Sequence, residues 1–338
     1  TLTYIIATKR GGEALIIDPV SDQVDDYLKF LGANELKLMK AVDTHIHADH
    51  ITGLPELREI TRCVTVMGKK SKPEMVSMRV DEGDVISVDG IDLEVLHTPG
   101  HTDDSYCFFF RDFGTVFTGD TLLIRGTGRT DFQNGDAGTQ WDSIQKKLLT
   151  MPESTIVYPA HDYKGENLST IGLEKKSNPR LQVQSKEEYI ELMANLNLPN
   201  PKMMDVAVPA NLSTGSDLSS RDTDDNSIRP EKLDQKLSIG KCVLVDLREE
   251  HEIAKEGSIE GSVFLPYQKI LGRTAEFKEF KEKYLDSSNE IICYCAYGER
   301  SALARDLMRE SGFKSVKHLA KGYDAYRKVG SKATTKAS

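Results

Sequence analysis

The chain has 338 residues, 38% of them hydrophobic and 29% charged, a length that suits two ordinary domains and the balance of a globular protein. Its formal net charge of −9 argues against a nucleic-acid partner, which needs a basic face. No run approaches the roughly 18 apolar residues of a spanning helix, so no membrane partner is expected.

Five cysteines at scattered positions, Cys63, Cys107, Cys242, Cys293 and Cys295, make a poor disulfide framework and suit a reducing compartment. The chain opens Thr1-Leu2-Thr3 directly on strand-like sequence. We read it as trimmed, so the expected location is the cytoplasm of a bacterial-type cell, or a mitochondrial matrix after removal of a transit peptide.

Short apolar runs bounded by turn residues predict strands over 14–18, 38–44, 64–68, 93–97, 107–110 and 116–118. Val24, Leu28 and Leu31 have helical spacing within 22–31. This mixture points to stacked α/β layers. Residues 213–227 are almost all small or polar, with Leu218 the only large apolar side chain, and read as a linker. Structure resumes near Ile228, with strands over 242–246 and 291–294 and a helix over 302–309 that stops at Gly312.

The run from Thr44 to His50 holds three histidines and an aspartate directly after a predicted strand. Imidazoles two positions apart share a strand face and can converge on one centre. Histidine and carboxylate together suit a borderline metal. Pro99-Gly100-His101-Thr102, Thr118-Gly119-Asp120 and Pro159-Ala160-His161-Asp162 each place a further donor where a strand meets a loop. Of eight histidines, five belong to these motifs; His97, inside a strand, is read as structural. The pattern predicts a metal site.

These motifs follow the order and spacing of the metallo-β-lactamase superfamily, which they resemble, and whose hydrolytic members use two metals and a bridging hydroxide. The donors for a dinuclear site are all present, so a zinc-dependent, glyoxalase II-like thioesterase carrying a rhodanese domain stays open on the ligand inventory. Longer stretches, 44–53, 117–133, 158–165 and 195–211, are similar to the persulfide dioxygenases. That resemblance implies an αββα sandwich and one Fe(II) per chain held by His45, His101 and Asp120, a facial triad with positions open for water, O₂ and a sulfur donor. His47, Asp49, His50 and His161 would then hydrogen-bond the ligands and their waters. The implied substrate is glutathione persulfide, oxidised to sulfite and glutathione. Glutathione has two carboxylates, so a guanidinium anchor is expected, with Arg129 first, Arg125 behind it, and Tyr163 as a further contact. Animal members of this family carry a cysteine shortly after the Val-Pro-Ala-Asn segment, where this chain has Ser213-Thr214-Gly215.

In the second half, Cys295 stands between a strand and a helix, followed by Gly298 and Arg300. Backbone N–H groups and the guanidinium there favour a thiolate nucleophile. This half resembles the rhodanese domain, also at 246–248, 257–262 and 321–326, with Ser258 where that family usually has histidine. The implied fold is α/β with a central parallel sheet, and the implied chemistry is sulfane-sulfur transfer through a persulfide on Cys295, with Arg300 in support. Four residues separate Cys295 from Arg300, the loop size of rhodaneses; phosphatase relatives have five. The expected organisation is a dioxygenase domain over 1–212, a linker over 213–228 and a sulfurtransferase domain over 229–330. Glutathione, thiosulfate or sulfite, and O₂ would be its small-molecule partners. Homodimer formation and the direction of sulfur flow are left open.

Overall fold

Hydrophobic runs place the first sheet. In the computed structural model, which describes residues 1–72, 76–163, 165–199, 203–213, 225–329 and 333–334, the strands β1 (Tyr4–Ala7), β2 (Glu13–Ile17), β3 (Lys37–Val42), β4 (Val64–Gly68) and β5 (Met78–Val80) lie side by side in chain order. β2, β3 and β4 run parallel. Ala14 to Ile17 are all fully buried, as a strand with both faces covered requires.

A second sheet is built from β6 (Val85–Val88), β7 (Ile91–His97), β8 (Tyr106–Phe110), β9 (Thr115–Gly119), β12 (Ile156–Pro159) and β13 (Ser169–Thr170), in the order β13-β12-β9-β8-β7-β6. A small hairpin, β10 (Leu122–Leu123) with β11 (Gly126–Thr127), follows β9. The two sheets pack face to face. The ring of Tyr4 on β1 lies 5.2 Å from those of Phe117 and Tyr158 on the second sheet. Gly68 comes so close to Tyr106 that a Cβ would fall 1.9 Å from its ring. Helices cover both outer faces: Leu54–Thr61 packs on β3 and β4, while Ile144, Leu148, Tyr189 and Met193 form one core with Cys107, Phe109, Val116 and Val157. The result is the expected αββα sandwich.

One strand is shorter than its apolar run predicts. β3 stops at Val42, and Thr44 turns out of the ladder because the Asp18 carboxylate captures it, taking the Thr44 N–H at 2.7 Å and its hydroxyl at 3.0 Å. His45 and His47 therefore sit on a loop, and the alternation of a strand does not set their directions.

The second unit is a five-stranded sheet of β14 (Ser227–Ile228), β15 (Cys242–Asp246), β17 (Val263–Phe264), β18 (Glu290–Tyr294) and β19 (Val316–Leu319), ordered β14-β19-β18-β15-β17 with every pair parallel. β16 (Ser258–Ile259) pairs with β20 (Ala333–Thr334) beside it. Helix Glu299–Glu310 packs on β18 and β19, and Gly312, at φ 105°, stops it as expected. The chain divides into two compact units at residue 214. Of the linker expected over 213–228, residues 214–224 lie outside the described residues, and residues 227–228 are the strand β14.

Candidate functional site

Four strands that end at one edge of the sandwich deliver donors there: β3 leads to His45, β7 to His101, β9 to Asp120 and β12 to His161. His45, His101 and Asp120 each offer one ligand atom within 4.8 Å of the others, and a second trio, His47, Asp49 and His50, does the same. Asp18, Asp43 and His47 form a third group, fully buried.

Hydrogen bonds fix which nitrogen faces the centre. The Thr44 hydroxyl donates to Asp18, so it accepts from His45 Nδ1 at 2.9 Å, leaving His45 Nε2 bare. The backbone carbonyl of Arg129 can only accept, so His101 Nδ1 carries the proton at 2.7 Å, and His101 Nε2 points to Asp120 Oδ2 at 3.4 Å. Burial, with His47 and His101 beside it, pushes the His45 ring well below its usual range and keeps it neutral, as a ligand must be. Burial alone would raise Asp120, but the charge and hydrogen bond of His161 outweigh it and hold the carboxylate well below the usual range. His161 bridges Asp120 Oδ1 at 2.7 Å and Asp49 Oδ2 at 2.9 Å. Burial opposes its charge, yet those two carboxylates raise it to about 10.

The donor set fits a metal ion: two bare imidazole nitrogens and one carboxylate converge, and the partners that orient them point away. Among the described residues, His47 Nδ1 and His50 Nε2 are buried without hydrogen-bond partners. His47 Nε2 is taken by Asp18 at 3.2 Å.

Asn211 is a further residue of this site that its sequence does not announce. It is buried, donates from its side-chain amide to the carbonyls of His47 and His50 at 2.9 Å each, and accepts from the Thr52 N–H at 2.9 Å. The segment after the sandwich thus staples the histidine loop.

A cavity of about 510 Å³ opens over the trio, with Leu123, Ile124, Phe132 and Leu198 as an apolar wall and Arg125, Arg129, Tyr163 and Arg180 around it. The expected anchor, Arg129, lines this cavity and is already engaged. Arg129 gives its fork to Asp131, with Nε and Nη2 each at 2.6 Å from the carboxylate, and Nη1 to the Pro199 carbonyl at 2.6 Å. A carboxylate two residues away takes two of its donors. Arg125 reaches Glu166 at 3.3 Å. Arg180 bonds the carbonyl and hydroxyl of Thr127 and has no carboxylate partner among the described residues. It follows Asn178-Pro179, in a turn no motif marks. Tyr163 is 81% exposed and stacks on His161, rings 5.8 Å apart.

In the second unit, Cys295 follows β18 directly and is fully buried. Its Sγ accepts from the Gly298 N–H at 3.2 Å and lies 3.7 Å from Ser301 Oγ. Gly298, at φ 97°, has no room for a Cβ, which would meet the Lys321 nitrogen at 2.9 Å. The Arg300 guanidinium is held by Glu252 in two bonds, 2.7 and 2.6 Å. It borders the cysteine loop already neutralised by a carboxylate.

Sequence profiles agree with this division: the metallo-beta-lactamase superfamily matches residues 1–161 and the rhodanese-like domain residues 229–329. The chain is 44% identical to the mitochondrial persulfide dioxygenase ETHE1 of Mus musculus over 216 residues, which are 64% of this chain and 84% of that protein. To a hydroxyacylglutathione hydrolase of Haemophilus ducreyi it is 33% identical, over 58% of this chain and 82% of that one. The crystal structure of ETHE1 from Myxococcus xanthus superposes with a TM-score of 0.60 at 47% identity, covering 62% of this chain and 92% of that one. The chain therefore belongs to the persulfide dioxygenase family of the metallo-beta-lactamase superfamily, and carries a C-terminal rhodanese domain in addition.

Proposed function

We propose that the first domain, residues 1–212, oxidises glutathione persulfide with O₂ at one Fe(II) held by His45, His101 and Asp120, and that the domain over 229–330 transfers sulfane sulfur through Cys295. The observation that carries this reading is the cavity itself: His101 and Asp120 of the two-histidine, one-carboxylate cluster line it, with an apolar wall beside them and, at its side, Arg180, a cation without a carboxylate partner among the described residues. The overall reaction is balanced as persulfide plus O₂ plus water giving thiol, sulfite and two protons. When bound, the iron would supply the open positions at which O₂ and the sulfur anion meet.

The protein's own contribution is orientation. Thr44 and the Arg129 carbonyl hold the two rings with Nε2 inward. His161, carrying its proton between Asp120 and Asp49, fixes the carboxylate plane. Leu123, Phe132 and Leu198 would give the sulfur end an apolar wall. Arg180, in place of the expected Arg129, would meet a glutathione carboxylate.

At Cys295 the thiolate attacks the outer sulfur of thiosulfate. A new S–S bond forms on the cysteine, the donor's S–S bond breaks, and sulfite leaves with the electron pair. Glutathione thiolate then takes the outer sulfur, regenerating the cysteine thiolate. The same steps reversed make thiosulfate.

A second reading, a dinuclear zinc thioesterase, is favoured by one observation, the trio His47, Asp49 and His50. Asp49 is already shared by His161 and His50, and His47 is tied to Asp18, which supports the mononuclear reading. The test is oxygen uptake by iron-loaded protein given glutathione persulfide, with sulfite and metal assayed together. Uptake with sulfite release at one iron per chain is expected. Two zinc ions per chain and thioester hydrolysis without uptake would replace the reading with the second.

A further inference from the structure

We propose that Tyr189 is a positioning residue that ties the anion-reading Arg180 to the backbone around the metal ligands; the inference rests on the persulfide reading above. Tyr189, Gln140 and Thr127 are buried to 1% exposure or less, and a hydroxyl or carboxamide in such a place must find partners. They find one another. Arg180 Nη1 donates to Thr127 Oγ1 at 3.3 Å. Thr127 Oγ1 and Tyr189 Oη lie 2.9 Å apart, and the Tyr189 hydroxyl donates to Gln140 Oε1 at 2.8 Å.

Gln140 Nε2 then donates to the Gly128 carbonyl at 3.1 Å and lies 3.5 Å from the Thr121 carbonyl. A guanidinium can only donate and a carbonyl only accept, so both ends of the chain fix its direction, with Thr127 giving its proton to Tyr189.

The far end of this chain is the metal-facing backbone. Thr121 follows Asp120. Gly128 is so tight against Asp120 and His101 that a Cβ would stand 2.1 Å from the Asp120 carbonyl and 2.7 Å from His101 Nδ1. The next residue supplies the carbonyl that orients His101. One line of four side chains therefore spans the cavity wall, from the cation that would read the substrate's tail to the groups that face its sulfur. Packing alone does not ask for the Tyr189 hydroxyl, since its ring is already seated 5.2 Å from Trp141.

The test is steady-state oxygen uptake by the full-length, iron-loaded protein carrying Tyr189→Phe, with glutathione persulfide and with an uncharged alkyl persulfide. Loss of one buried hydrogen bond predicts a KM for glutathione persulfide raised roughly five- to tenfold, with kcat and iron content held and the alkyl persulfide unaffected. Thr127→Val removes the neighbouring hydroxyl and should give the same split. In an Arg180→Ala background, Tyr189→Phe should add nothing, because the two act through one contact.

Equal losses with both substrates, a fall in kcat at unchanged KM, or effects that multiply in the double variant would overturn the assignment. So would a Tyr189→Phe protein indistinguishable from wild type while wild type is active. Wild-type protein inert toward both persulfides would overturn the persulfide reading instead.

Discussion

The two reactive centres are built in opposite ways. The histidine centre draws on four strand ends and on Asn211, residues up to 166 positions apart in sequence, counting from His45 to Asn211. The cysteine centre is almost local: Cys295, Gly298, Arg300 and Ser301 lie on one strand-loop-helix turn, joined by Glu252 and by the backbone of 321–323. A centre assembled from distant segments depends on the long-range fold for its geometry. A local one depends on a few backbone donors and a single ion pair.

The sharpest way to break this contrast is to remove one member from each centre. Asp120→Ala should lower oxygen uptake on the order of a hundredfold or more, since even orienting partners of ligands cost 10–100-fold, while thiosulfate sulfurtransfer persists. Cys295→Ser should do the reverse, abolishing sulfurtransfer and sparing oxygen uptake. If either variant silences both assays, the two centres are not separate.

Next in size is the ion pair. Glu252→Ala leaves the buried Arg300 charge unpaired, which costs about 3–5 kcal/mol, and should lower the urea midpoint of the second unit while the first unit's transition stays put. A single shifted transition for both units would count against it.

Asn211→Ala comes third. It strips the carbonyls of His47 and His50 and the Thr52 N–H of their partner, about 1–3 kcal/mol for a buried group. Metal release in a chelator competition should accelerate about tenfold or more. Unchanged release would show that the histidine loop holds itself.

The smallest effect concerns pH. Burial would raise the Glu252 carboxyl, but Arg300 outweighs it and lowers it in the fold. Its contribution is thus complete above the unfolded value near 4.5 and fades as pH falls through the lower folded value. Second-unit stability should decline more steeply below about pH 4.5 in wild type than in Glu252→Gln; parallel curves would remove the pair from the account.

The same contrast explains what could be read from sequence. Strands such as 14–17, 64–68 and 242–246 were legible because an unbroken apolar run bounded by turn residues has few other uses. The cysteine loop was legible because its parts are adjacent, although its helix begins at Glu299, three residues before the apolar pattern does, since Gly298 at φ 97° caps it there. The candidate metal ligands were legible as motifs, and so was His161, which bonds Asp120. Asp18, Asn211 and Gln140 were not, because they reach the site through side-chain hydrogen bonds with no periodicity. The pairing of Arg129 was not legible either, because only the fold shows that Asp131 turns back onto it.

Asp18 adopts a left-handed backbone, φ 52°, to hold Thr44 and His47 together. The residue after it is Pro19. Chain isomerisation of an aspartate during protein ageing begins with attack of the following backbone N–H on the carboxyl group, and proline has no such hydrogen. The carboxylate on which two imidazoles depend is thereby shielded from the commonest chemical wear of aspartates, so storage should erode the histidine centre elsewhere first.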